Sequence, residues 1–202
     1  MYQRWVFIIM ALLVISCATP YRPVVTDDSY TDPQFGISFS LPAAWTVMDH
    51  HPDWVQQHLN RIYIKPKLVL VSKNEKCCII YTTGKLNVST EDVNKYPDKL
   101  QNEIAVSLRR SIEKHKEDLN LIDYDYDVYP IKLERGRLTA ICKLEETAEF
   151  NNERMTWTID SYLSPSVRKI KFINFIYLSK DINAGPLKND FEILKASATV
   201  TP

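Results

Sequence analysis

Glycine is scarce, at 4 of 202 residues. Few loops can therefore bring bare backbone against a phosphate, and neither a Walker loop nor a G-x-G-x-x-G fingerprint occurs. G-x-S-x-G and H-E-x-x-H are missing as well, so no nucleophile elbow or zinc helix can be recognised. An excess of one charge is also lacking: 25 Lys plus Arg balance 25 Asp plus Glu. Nothing in that balance attracts a polyanion, which argues against a nucleic-acid partner. There is no internal repeat and no low-complexity tract. These absences leave no cofactor to expect and point away from an enzyme.

The longest apolar run is too short to cross a bilayer. It extends from Trp5 to Ile15, whereas a spanning helix takes about 20 apolar residues. Arg4 precedes it, small residues follow, and a Pro-rich polar stretch comes next, which is the layout of a secretory signal peptide. Its end, Val14-Ile15-Ser16-Cys17, resembles the lipobox of bacterial lipoproteins. That resemblance implies cleavage before Cys17, acyl chains such as palmitate on Cys17, and attachment to the membrane through the lipid. Ala18 stands where inner-membrane lipoproteins typically carry Asp, so the implied location is the outer membrane, facing the periplasm.

Residues 18–33, ATPYRPVVTDDSYTDP, hold three prolines and three aspartates and few bulky aliphatics. Such a segment buries too little surface to offset its ordering entropy, so 17–33 reads as lipidated Cys plus flexible tether. Residues 34–202 then form one globular domain, behind a signal peptide at 1–16. The domain opens with Phe35, Ile37, Phe39 and Leu41 alternating with small or polar residues, a strand with one buried face that Pro42 ends. Two runs, CCIIY from Cys77 and IKFINFIYL from Ile170, are apolar on both alternating sets and read as central strands covered on both faces. Leu100, Ile104, Leu108 and Ile112 recur every four residues behind Pro97, predicting a long amphipathic helix to about Asp118. Further strands are expected in 61–71, in YPIKLERG (129–136) and in the stretches 137–150, 154–164 and 167–179, with a closing helix near 186–197.

Strands in hairpin order with inserted helices predict a mixed α/β (α+β) domain, a mainly antiparallel sheet flanked by helices in an α/β/α sandwich. The opening FGISFSLPAAWTV and the closing FEILKASATV resemble PsbP-like domains. That family implies this sandwich and mostly non-catalytic binding or assembly roles, with no catalytic set to carry over.

Candidate sites are few. Asp49, His50, His51, Asp53 and His58 lie within 11 residues and offer nitrogen and carboxylate ligands, but adjacent histidines rarely serve one ion; a polar loop without metal is expected. Cys77, Cys78 and Cys142 would sit in an oxidising compartment. Neighbouring strand residues face opposite ways, so at most one of Cys77 and Cys78 could bridge Cys142; three reduced core thiols are the alternative. Arg109, Arg110, Glu113 and Lys116 face outward on the long helix and offer a contact surface. Two functions follow: a membrane-anchored envelope lipoprotein that binds or assembles a protein partner without catalysis, or a periplasmic carrier of lipid or another small hydrophobic ligand. A filled interior favours the first and an unfilled apolar cavity the second.

Overall fold

A computed structural model describes residues 22–49, 52–56, 65–86, 88–150, 152–165, 169–180 and 184–200. Two antiparallel sheets lie in it. The larger has the order β4-β5-β6-β10-β9-β8-β7, built from β4 (Trp45–Val47), β5 (Leu68–Ser72), β6 (Cys77–Leu86), β7 (Leu121–Val128), β8 (Thr139–Phe150), β9 (Glu153–Ser164) and β10 (Ile170–Ser179). The smaller has the order β1-β2-β3-β11, from β1 (Val24–Val25), β2 (Ser29–Asp32), β3 (Ile37–Ser40) and β11 (Thr199–Val200). Among the described residues, α1 (Thr90–Lys95), α2 (Pro97–Asp118) and α3 (Gly185–Ala196) accompany them.

Local chemistry explains the helix ends. Ser89 accepts from the Asp92 backbone N–H at 3.0 Å and so caps α1. Pro97 stands in the first turn of α2, where its missing N–H costs nothing, with Asp98 beside it and His115 and Lys116 in the last turn, all favourable to the helix dipole.

Both faces of the large sheet are covered, as the two doubly apolar runs require. Leu70, Ile79, Tyr81, Ile173, Phe175 and Phe191 belong to one apolar cluster, shared with Tyr30, Ile37 and Phe39 of the small sheet and with α3. On the opposite face Val69, Val71, Cys78, Ile80, Trp157, Ile176 and Leu178 pack with Val55, from a helical turn at 53–56. Next to them Leu100, Ile104 and Leu108 of α2 cover Ile141, Leu163 and Ile170. The expected sandwich is therefore present, with one outer layer made partly of a second sheet.

Two expectations are corrected. The tether does not run to residue 33: Val24 and Val25 pair with Thr31 and Tyr30, and Tyr30 and Asp32 are buried. Tyr30 accounts for this, because its ring stacks on Phe39 at 5.0 Å and meets Tyr81 edge-on at 5.3 Å, and one buried aromatic of that kind offsets the ordering of several residues. Residues 129–136 form no strand either. Pro130 cannot donate to a ladder, and Asn94 takes the place of a neighbouring strand, accepting from the Leu133 N–H at 3.1 Å and donating to the Leu133 carbonyl at 3.3 Å. Ile131 and Leu133 are buried all the same.

Candidate binding surface

Cys17, His50, His51 and His58 lie outside the described residues. Asp49 and Asp53 are exposed, and among the described residues no group of three or more His, Cys, Asp or Glu could hold a metal ion. Cys77, Cys78 and Cys142 are buried free thiols. Strand order rules out the bridge from Cys142 to Cys77 or Cys78: β10 and β9 stand between β6 and β8, a separation of about 14 Å at about 4.8 Å per strand, beyond any disulfide. Burial, with Cys77 adding to it, pushes the Cys78 thiol far up, so it behaves as a small apolar group.

One buried polar cluster lies where α2 crosses the sheet. Tyr124, Glu146 and Trp157 are register partners across β7, β8 and β9 and so share a face. His115 Nδ1 lies 2.9 Å and 3.0 Å from the two Glu146 carboxylate oxygens, and Trp157 Nε1–H donates to the same group at 2.6 Å. A carboxylate only accepts, which places the Nδ1 proton on His115. Nε2 then faces Ser111 Oγ at 3.5 Å. The order Ser111, His115, Glu146 is that of nucleophile, base and orienting acid, but Ser111 sits inside α2, where backbone N–H groups are engaged in the helix and leave no oxyanion donors. What the cluster does visibly is fasten α2 to β8 and β9.

The β7 edge of the sheet is open among the described residues. Register puts Asp123, Asp125 and Asp127 on the face away from α2, beside Thr147, Glu145 and Lys143. Together with Thr156, Thr158, Lys188 and Gly185 at the start of α3, Asp123, Asp125 and Glu145 line a cleft of about 330 Å³. Ion pairs tie α3 to this face: Lys188 reaches Glu145 at 2.9 Å, beside Lys143 of β8, which reaches the same carboxylate at 3.0 Å, and Lys195 pairs with Asp160. Burial alone would raise the Glu145 pKa, and its two lysines outweigh burial and hold it below the usual range. At Asp160 burial prevails over Lys195, and the carboxyl is held above that range.

β7 is the outer strand of this sheet among the described residues. Tyr129 N–H bonds to Ile141 of β8, so by alternation the N–H groups of Tyr126 and Tyr124 point outward. Each is instead accepted, at 2.9 Å, by the side chain of the aspartate before it, Asp125 and Asp123. The edge thus satisfies its own donors and surrounds them with negative charge. On the α2 side, Arg109 donates to Tyr126 Oη at 3.0 Å, while Lys116 pairs with Glu113 at 2.7 Å and lies 4.7 Å above the Tyr124 ring. All four outward helix positions, Arg109, Arg110, Glu113 and Lys116, are exposed. Sequence reading missed β7 itself; the alternation Ile122, Tyr124, Tyr126, Val128 with three aspartates between carries a strand's period of two, and its polarity disguised it.

No family model matches the sequence, and no curated protein matches it. Solved structures that align with it include the crystal structure of LpqN, involved in cell envelope biogenesis of Mycobacterium tuberculosis: 14% identity, 89% of this chain and 90% of that one, TM-score 0.50. The solution structure of cyanobacterial PsbP from Synechocystis aligns over 92% and 97% of the two chains at 12% identity and TM-score 0.45. A crystal structure from Bacteroides thetaiotaomicron aligns over 88% of this chain and 50% of its own, at 10% identity and TM-score 0.43. At such identities the likeness is one of fold, and fold alone does not carry function.

Proposed function

We propose that this protein is a lipid-anchored module of the bacterial cell envelope that binds a protein partner and performs no chemistry of its own. The lipid is carried on Cys17 and holds the domain at the outer membrane, on its periplasmic side. The observation that carries the reading is the pairing of a filled interior with an open, polar sheet end. Tyr30, Phe39, Tyr81, Tyr162 and Phe175 pack ring to ring, with centroid distances of 5.0 to 5.9 Å, which leaves no room there for a lipid and argues against the carrier. The cleft of about 330 Å³ carries Asp123, Asp125, Glu145, Glu146 and Lys188 beside Trp157 and Tyr177, a charged lining poorly suited to a lipid chain. A neighbour in fold, LpqN, is described as involved in cell envelope biogenesis, which agrees with an envelope role. Anchoring raises the effective concentration toward envelope partners, so modest affinity suffices.

Cross-linking in intact cells tests it, comparing the native chain with Cys17→Ala secreted behind a conventional signal peptide. The native chain should capture a defined envelope protein and the soluble form should capture much less. Equal capture by the soluble form removes the need for the anchor. Lipid still found on the Cys17→Ala protein by intact mass removes the lipidation site, and turnover of an envelope substrate by the purified protein removes the binding-only reading.

A further inference from the structure

At the end of the molecule where the chain enters the fold, three lysines converge on one phenylalanine. Phe35 lies in the turn between β2 and β3, closed by Gly36 at φ 62 and by Asp32 Oδ1, which accepts from the N–H groups of Gln34 and Phe35 at 3.0 and 3.2 Å. Lys171 donates to the Phe35 carbonyl at 2.6 Å. The ammonium groups of Lys67 and Lys85 lie 5.8 and 5.7 Å from the Phe35 ring centroid. Lys85 and Lys171 are also direct register partners on β6 and β10.

Like charges placed opposite one another on adjacent strands repel. Elsewhere in the fold several lysines are matched by acid, Lys143 and Lys188 by Glu145, Lys180 by Glu153 and Lys195 by Asp160. Lys67, Lys85 and Lys171 have no carboxylate within ion-pair distance among the described residues. Burial, and then Lys85, hold the Lys171 ammonium below its usual range, with Asp32 pulling the other way. Asp32 is buried, and its Oδ2 has no hydrogen-bond partner. The arrangement keeps three cations together with no ion-pair partner among the described residues.

Their position says what could neutralise them. The start of β1 pairs with the end of β2, Val24 with Thr31, so residues 22–24 come in beside the turn that holds Phe35. The sequence before residue 22 contains Cys17 and the apolar run, so an anchored domain presents this end toward the bilayer. Val24 and Val25, 53% and 45% exposed, lie next to it and add apolar contact area.

We propose that Lys67, Lys85 and Lys171 form a docking surface for the phosphate-bearing headgroups of an anionic phospholipid membrane. The surface rests on the anchored reading above. It orients the domain with its lysine end on the membrane and the Cys77 and Ser179 end of the same strands away from it. One lysine at an anionic surface contributes about fivefold in affinity, and such contacts weaken with salt.

Sedimentation with vesicles tests it, using the secreted Cys17→Ala chain so that no lipid anchor takes part. Binding to phosphatidylcholine vesicles containing phosphatidylglycerol should exceed binding to phosphatidylcholine alone, should fall about fivefold for each of Lys67→Gln and Lys85→Gln, and should vanish at high salt. Lys76→Gln and Lys180→Gln, at the opposite end of the same strands, should bind like the parent. Equal sedimentation with both vesicles, or parental binding by the Lys67→Gln/Lys85→Gln double variant, overturns the proposal. Competition by inorganic phosphate as strong as that by vesicles also overturns it, in favour of a free phosphate ligand. Both exposed lysines can be replaced without touching the core, and circular dichroism checks the fold. Loss of vesicle binding with an unchanged cross-linking partner in the anchored chain separates failure of this surface from failure of the partner-binding role.

Discussion

The two ends of the seven-stranded sheet are built on opposite principles. From β5 to β10, consecutive residues are apolar on both faces: Val69 and Leu70, Ile79 and Ile80, Phe175 and Ile176 are all buried. From β8 to β7, one face holds the cluster of His115, Glu146 and Trp157, and the other is a field of carboxylates and lysines. Both register irregularities recorded among these strands fall at the second end, between Leu121 and Asp123 and between Ala140 and Cys142. A slip of one residue exchanges the two faces. Where both faces are dry but differently packed, that exchange is costly. A bulge is tolerated where one face is wet, and there it re-aims side chains. Stability is thus concentrated at one end and surface chemistry at the other.

Substitutions should separate the ends by size of effect. Phe175→Ala, which removes a ring in contact with Phe39, Tyr81 and Tyr162, should cost about 3–5 kcal/mol in chemical denaturation; a loss below about 1 kcal/mol would show that the aromatic cluster is loosely packed. Glu146→Ala comes next, at about 2–3 kcal/mol, because it leaves the His115 Nδ1–H buried without its acceptor and removes the carboxylate to which the Trp157 N–H donates. Replacing His115 and Glu146 together by apolar residues should recover part of that loss, and a double-mutant cycle reads the coupling.

A smaller effect is expected at Glu145, which is partly exposed. Its folded pKa lies below the unfolded one, so its contribution exists above the unfolded pKa and disappears as pH falls through the folded pKa. Glu145→Gln should therefore destabilise by about 0.5 kcal/mol at neutral pH and by nothing once the carboxyl is protonated in both states. Asp160, with a raised folded pKa, has the opposite sign: its ionised carboxyl costs stability as pH rises above the unfolded pKa, so Asp160→Asn should lose least near neutral pH and most once the carboxyl is protonated in both states, in the same pair of melts. Smallest in stability is Asp123→Asn/Asp125→Asn, within about 0.5 kcal/mol. Its signature should be self-association in sedimentation velocity, because the charge guarding the outer edge of β7 is gone; a monomer at all concentrations would show that the aspartates do not guard it.

Much of this fold is legible in the residues. The doubly apolar runs are the adjacent central strands β6 and β10, and the spacing of Leu100, Ile104, Leu108 and Ile112 gives the face of α2 that meets the sheet. Where the reading failed, polarity or composition misled it. The Asp-Tyr repeat of β7 hides a strand, the apolar Ile131 and Leu133 suggest one that Pro130 forbids, and the polar 24–32 segment holds a tyrosine whose partners lie far along the chain. The candidate surfaces were less legible still: the outward helix positions could be named in advance, but the tyrosines of β7 to which Arg109 and Lys116 are tied could not.

The sequence by itself determined the lipobox-like start, the alternation and helical periods, and the class of the domain, because each depends on residues within a few positions of one another. Only the tertiary structure decided that Cys142 stands two strands beyond reach of β6, that His115 finds Glu146, that Tyr30 folds its segment into a second sheet, and that Lys67, Lys85 and Lys171 meet over Phe35. Those facts depend on which strands become neighbours. Strand order is set by the burial of whole faces against one another, a sum over distant residues that no local period contains.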